Sequence, residues 1–266
     1  MKKLITTFIL LAIVPVLSAH EFWLQPDKFI YTPGEAINIR FNVGENFEGE
    51  NWSGDTSKVK SLNFYYEDIV DDLTPAMGTE KGDSVQLSVL DEGTDMVTFN
   101  SKNSFIQLDT AKFNAYLLED GLNEAIEYRK EHNETDSIGR EFYQRSVKTI
   151  FQVGKEFTNT FQQQTDLPLD IILQQNPYAF KDSETLTVKV FFQNEPLKNK
   201  QVKIWHRENG KTILREMLTS EDGEISFEVT TSGEWMVSCV KMIRLENDPK
   251  ANWQSYWGSC TWGYEK

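Results

Sequence analysis

Basic residues are scarce in this chain: 27 Lys and Arg stand against 41 Asp and Glu, a formal net charge of −14. That balance argues against nucleic acid as a partner, because the phosphate backbone rewards basic surfaces. It suits attraction of cations, and equally a well-solvated exported surface. Cysteine is almost missing, with Cys239 and Cys260 the whole complement, too few soft ligands for a structural zinc site. Histidine is as sparse, with only His20, His132 and His206. Beyond the first nineteen residues no apolar run is long enough to read as a membrane helix. There is no HExxH pair and no phosphate-cradling glycine loop, and neither Ser53 nor Ser259 sits in a nucleophile-elbow context. The chain therefore reads as a non-enzyme.

What is present begins with a secretory pattern. Lys2 and Lys3, the apolar run from Leu4 to Val14, Pro15 and the small residues Ser18 and Ala19 make residues 1–19 a cleavable signal peptide. No cysteine follows to carry a lipid, so the chain is expected to be periplasmic or secreted, with no transmembrane segment after cleavage. Loss of Lys2 and Lys3 moves the formal charge from −14 to −16. Cleavage after Ala19 makes His20 the new terminus, whereas cleavage after Ser18 buries it one residue in. A terminal histidine is a chelator: its α-amine and the imidazole nitrogen nearer the backbone can close a ring on one transition-metal ion, as an internal histidine cannot. In the plainer alternative His20 only begins the first strand, with Phe22 or Trp23 anchoring it in the core.

Most of the remainder alternates with the period of two that marks strands with one buried face, as in Ile37, Ile39, Phe41 and Val43, then Leu62, Phe64 and Tyr66, then Val85, Leu87 and Val89. After Asp109 the spacing becomes helical through Phe113, Tyr116, Leu117 and Leu118; Gly121 interrupts it, and Leu122, Ala125, Ile126 and Arg129 continue it. This gives two short helices, or one broken at Gly121, inserted at 111–132. The segment from Gly154 to Pro168, with Gln162, Gln163 and Gln164, reads as a linker. The expectation is a mainly β chain of two β-sandwich domains, immunoglobulin-like or transthyretin-like: 20–160 with the helical insertion, and 167–266. The second resembles the transthyretin-like or carboxypeptidase-regulatory sandwich through Asn194-Glu195-Pro196-Leu197, Ser220 to Phe227 with its Asp222-Gly223 turn, and Gly233-Glu234-Trp235.

Of the other histidines, His132 ends a polar helix and reads as solvated or capping. His206 follows Trp205 on a strand, so the two point to opposite faces; it reads as structural, or as the one candidate imidazole partner for His20. Glu21, Met236 and Met242 are further candidate ligands. Two cysteines in an exported chain make a Cys239–Cys260 disulfide the default, tying the penultimate strand to the last. The aromatic run Trp253 to Tyr264 serves either as a sugar-stacking platform or as a final strand in the core.

Four segments together bring a family into view: His20-Glu21-Phe22-Trp23-Leu24-Gln25-Pro26, Gly44-Glu45-Asn46-Phe47-Glu48-Gly49-Glu50, Phe113 to Leu122, and Asn252-Trp253-Gln254-Ser255-Tyr256-Trp257. They resemble the NikM-like family of periplasmic proteins of unknown function, grouped with periplasmic components of nickel and cobalt uptake. The resemblance implies binding or delivery of nickel or cobalt at the matching first residue His20, and a membrane metal-uptake system or another envelope protein as partner; on intrinsic affinity copper would compete with either. One departure matters. Members often carry a histidine in the strand before the final aromatic segment, where this chain has Cys239-Val240-Lys241-Met242. A protonated lysine repels a metal ion, so the site uses other ligands here or has been lost. The alternative function is a non-catalytic envelope module for protein or glycan contact.

Overall fold

The computed structural model describes residues 21–52, 56–77 and 84–264. The expected signal peptide, 1–19, and His20 lie outside the described residues, and no helix among those described is long and apolar enough to cross a membrane. The strands run in the order β1 (Glu21–Pro26), β2 (Ile30–Tyr31), β3 (Ala36–Glu45), β4 (Glu48–Asn51), β5 (Val59–Tyr66), β6 (Ile69–Asp72), β7 (Ser84–Ser88), β8 (Gly93–Ser101) and β9 (Ser104–Leu108). Helices α1 (Thr110–Glu119) and α2 (Asn123–Glu131) follow. Then come β10 (Gly139–Val153), β11 (Leu169–Leu173), β12 (Glu184–Phe192), β13 (Glu195–Pro196), β14 (Gln201–Glu208), β15 (Lys211–Leu218), β16 (Glu224–Val229), β17 (Glu234–Arg244) and β18 (Trp253–Gly263). The molecule is mainly β, as the alternation predicts.

The strands make three layers. A ten-stranded sheet, β15-β14-β17-β18-β10-β8-β5-β6 with β2 and β9 on β10, lies in the middle. Side-chain alternation gives each of its faces a separate core. On β10, Val147, Phe151 and Val153 pack with Phe22, Leu24, Ile39 and Phe41 of the sheet β1-β3-β4, which β7 extends. Ile150 on the opposite face packs with Leu169, Ile171, Val188 and Phe227 of the sheet β11-β12-β13, which β16 extends. Strand β18 shows the same division: Ser259 Oγ and Thr261 Oγ1 donate to the Phe22 and Leu24 carbonyls of β1, while Cys260 and Trp262 enter the other core.

This corrects the expectation of two separate sandwiches. One sheet runs through both halves of the chain, because β18 pairs parallel with β10 from Glu141↔Trp253 to Thr149↔Thr261. The division the sequence shows is one of cores, not of sheets. The segment 154–168 is also packed rather than a free linker: Thr158 exchanges hydrogen bonds of 2.9 and 2.8 Å with the Thr94 backbone, and Thr160 and Phe161 are buried. The disulfide is corrected too. Cys239 faces Gly258 and Cys260 faces Val237, so the thiols are offset along the β17–β18 ladder, and both are free and buried. Diagonal neighbours in an antiparallel pair stand about 7–8 Å apart, at or beyond the Cα separation a disulfide spans.

The helical spacing is realised as a hairpin. Asp109 caps α1, its carboxylate accepting from Lys112 N at 2.9 Å. Gly121, with φ of 57°, turns the chain between the helices. Phe113, Tyr116, Leu117, Leu122 and Ala125 bury against Val240, Met242 and Trp253 of β17 and β18. The C-terminus of α1 is clamped by three residues at β14: Lys200 Nζ donates to Gly121 O at 3.0 Å, Gln201 Nε2 to Glu119 O at 3.4 Å, and Lys203 Nζ to Asp120 Oδ1 at 2.7 Å. Cations suit that end of a helix, where carbonyls lack partners.

Candidate functional site

The clamp on α1 is one wall of a cavity of about 130 Å³ lined by Glu21, Glu45, Asn46, Glu119, Lys203, Trp205, Leu214 and Glu216. Four carboxylates and one ammonium meet there. Each is delivered by a different element: Glu21 opens β1, Glu45 ends β3, Glu119 ends α1, Lys203 and Trp205 alternate onto one face of β14, and Leu214 and Glu216 do so on β15. The register Lys203↔Glu216 and Trp205↔Leu214 sets the last four side by side.

The β3–β4 turn that holds Glu45 and Asn46 is strained. Asn46 and Phe47 have φ of 54° and 58°, the left-handed pair a two-residue hairpin turn requires, and a bulky residue rarely adopts it. Phe47 is kept there by packing: it is fully buried, meets Trp23 edge-on at 5.4 Å, lies under the Arg207 guanidinium at 4.5 Å, and its carbonyl accepts from Arg207 Nη1. Strain of this kind costs on the order of 1–3 kcal/mol and survives where the surroundings over-determine it.

Lys203 Nζ stands 2.7 Å from Asp120 Oδ1 and 3.7 Å from Glu21 Oε1. Burial pushes the Glu21 carboxyl up to about 7, against the pull of Lys203. Burial likewise raises Asp120 despite its lysine partner. For Lys203 burial works downward, but Asp120 and Glu21 outweigh it and leave the ammonium above its ordinary range. Lys203 thus stays charged between two inner carboxylates, while Glu21 titrates near neutrality. Behind them, Glu21, Asp120 and Lys203 also line a cavity of about 10 Å³ with Cys239, Ser238 and Trp257, about the room of one water. Burial raises the Cys239 thiol to about 12, so it is not a reactive thiolate.

The other sequence candidates lie elsewhere. His206 points to the face of β14 opposite Lys203 and Trp205: it stacks on Trp235 at 4.0 Å, and its Nε2 bonds to Ser232 O at 3.0 Å. The structure therefore does not bring His206 to Glu21. His132 caps α2, stacked on Tyr128 with Nδ1 2.8 Å from Tyr128 O. Met236 is buried with Trp23, Phe47 and Trp205, and Met242 lies under the helices. Lys241 pairs with Glu124 and does not line either cavity. Among the described residues no three His, Cys, Asp or Glu side chains converge to hold a metal ion by themselves.

Sequence reasoning singled out Glu21 but missed Glu45, Glu119, Asp120, Lys203 and Glu216. A signal was there. Glu45 and Asn46, Glu119 and Asp120, and Trp257 fall inside the segments that carry the family resemblance, and those segments meet at Glu21.

A family model described as Domain of unknown function (DUF4198) matches residues 17–242. That match carries no link to nickel or cobalt transport. No curated protein matches the chain. Among solved structures it is similar to the D0–D1 domain of intimin at 14% identity and a TM-score of 0.19, over 90% of this chain and 97% of that one. Escherichia coli alpha-2-macroglobulin activated by porcine elastase is similar at 10% and 0.24, over 92% and 20%. A DUF3823 family protein from Bacteroides uniformis is similar at 9% and 0.23, over 93% and 100%. Likenesses this slight bear on neither fold nor function.

Proposed function

We propose that this chain, which belongs to the Domain of unknown function (DUF4198) family, is a periplasmic accessory protein that binds or delivers a late first-row divalent metal ion at its processed N-terminus. One observation carries the reading: Glu21, Glu45, Glu119 and Glu216, from four distant parts of the sequence, line one cavity, and Glu21 is joined by a peptide bond to His20. The α-amine and imidazole of His20 supply two nitrogens, and Glu119 and Glu216 are the candidate oxygen ligands. That donor set suits nickel, cobalt, zinc or oxidised copper, and not reduced copper, which prefers sulfur. His206 has no part in it, and Lys241 is neutralised by Glu124. The choice of nickel or cobalt rests on the NikM-like resemblance; on intrinsic affinity copper competes strongly. A membrane uptake system or another envelope protein is the natural recipient.

The test is calorimetric titration of nickel and cobalt into protein with a verified His20 terminus. Glu119→Gln and Glu216→Gln should each weaken binding several-fold with circular dichroism unchanged. Unchanged affinity in both removes the cavity from the reading.

A second reading, a non-catalytic envelope module for protein or glycan contact, has its own observation. Edge strand β15 leaves Ile213, Leu214 and Leu218 exposed, and an uncovered edge is a template for a partner strand. It takes precedence if no metal binds and Leu218→Lys abolishes retention on envelope proteins.

A further inference from the structure

A second cavity lies on the helical hairpin. It measures about 350 Å³ and is lined by Asn114, Leu118, Ile126, Arg129, Lys130 and Thr135, a size at the lower end for small-molecule sites. Its chemistry runs against the rest of the chain. The protein carries a net charge of −14, yet this lining holds two cations and no carboxylate. Leu118, on α1, is 68% exposed, a large apolar side chain left in water at the cavity wall.

Arg129 on α2 is the informative residue. It is only 2% exposed, and the Phe113 ring covers its guanidinium at 4.9 Å. Nη2 donates to Asn114 Oδ1 at 3.2 Å, Thr135 O at 3.1 Å and Ser137 O at 2.9 Å, all neutral acceptors. Nε is buried with no partner. The carbonyl bonds explain how Arg129 holds the turn after α2, but that task needs donors and not a buried charge. Burying a cation whose direct partners are all neutral is costly: burial lowers its pKa, with Arg244 adding to that and the nearby Glu134 and Asp136 carboxylates only partly offsetting it. An anion brought to this cavity would be stabilised by Arg129 and by Lys130 beside it.

We propose that the cavity binds a free single-chain amphiphile bearing a carboxylate, its tail against Leu118 and Ile126 and its head at Arg129 and Lys130. This site is independent of the metal reading. The experiment is calorimetry with octanoate, decanoate and dodecanoate below their micelle concentrations, with dodecyltrimethylammonium as the opposite-charge control. The expected result is one site, with affinity rising about fourfold per added methylene, the factor that burying one methylene carries. Leu118→Asp should lower dodecanoate affinity at least tenfold with the thermal midpoint unchanged, since the residue is exposed, and Lys130→Glu should lower it several-fold. Equal binding of dodecyltrimethylammonium, binding only above the micelle concentration or only to anionic vesicles, or unaltered binding by Leu118→Asp would each overturn the proposal.

Discussion

Lys148 and Asp170 form an ion pair in the interior, with side-chain exposures of 1% and 2%. Lys148 stands on β10 of the shared sheet and Asp170 on β11 of the third layer, so the pair joins two layers. Asp170 Oδ2 also accepts from Thr165 N at 2.8 Å and Thr165 Oγ1 at 3.0 Å, fixing the approach to β11. Lys148→Met keeps most of the stem volume but leaves the carboxylate without a cation. Asp170→Asn keeps an acceptor for Thr165 but leaves the ammonium without an anion. Breaking a buried pair from one side costs about 3–5 kcal/mol, whereas replacing both charges removes the desolvation of both ions as well. Each single variant is therefore expected to lose about that amount, and the double variant less than the two losses added together. Urea unfolding followed by tryptophan fluorescence reads this as midpoint shifts at constant slope. A loss under about 1 kcal/mol for Lys148→Met, or single losses that simply add, would refute the reasoning.

Glu141 is buried, bonded through Oε1 to Tyr116 Oη at 3.2 Å and to Ser255 Oγ, and burial pushes it from 4.5 to about 7. Because the folded state holds this proton more tightly than the unfolded one, the contribution is complete below about pH 4.5 and lost as pH rises through about 7. Glu141→Gln should lessen the loss of stability between pH 5 and pH 8 by on the order of 3 kcal/mol; an unchanged pH slope counts against it. Thiol titration of the unreduced, unfolded protein should count two thiols and the native protein none, because Cys239 and Cys260 are free and buried; a count of zero after unfolding means a bridge. At the start of β10 a Cβ on Gly139 would stand 2.3 Å from the Phe113 ring, so Gly139→Ala should cost about 1–3 kcal/mol by overpacking. A thermal midpoint equal to that of the parent would contradict that contact.

The helical hairpin was legible because its apolar spacing is regular and Gly121 supplies the break. Strand β10 was legible only in its second half, from Ser146 to Val153: Arg140, Glu141 and Gln144 before that stretch and Lys148 within it interrupt the alternation. Each is satisfied by a distant partner, Asn252, Ser255, Asn100 and Asp170 respectively. The parallel pairing of β10 with β18 joins residues about as far apart as Thr149 and Thr261, and local periodicity carries nothing about such contacts. Two cores in one molecule look, in sequence, like two sandwiches. The cavity acids were invisible one by one, since 41 carboxylates in one chain discriminate nothing. Only their places within the segments around Gly44 to Glu50 and Phe113 to Leu122 set Glu45, Glu119 and Asp120 apart.

The most direct measurement is nickel, cobalt and copper calorimetry on three preparations: protein whose mass verifies a His20 terminus, the same with His20→Ala, and the same with one extra N-terminal residue. One ion is expected to bind the first tightly and the other two at least tenfold more weakly. Affinity for the first should fall as pH drops through the range where imidazole and α-amine take up protons. Equal binding by all three preparations, or none by any, contradicts the metal reading.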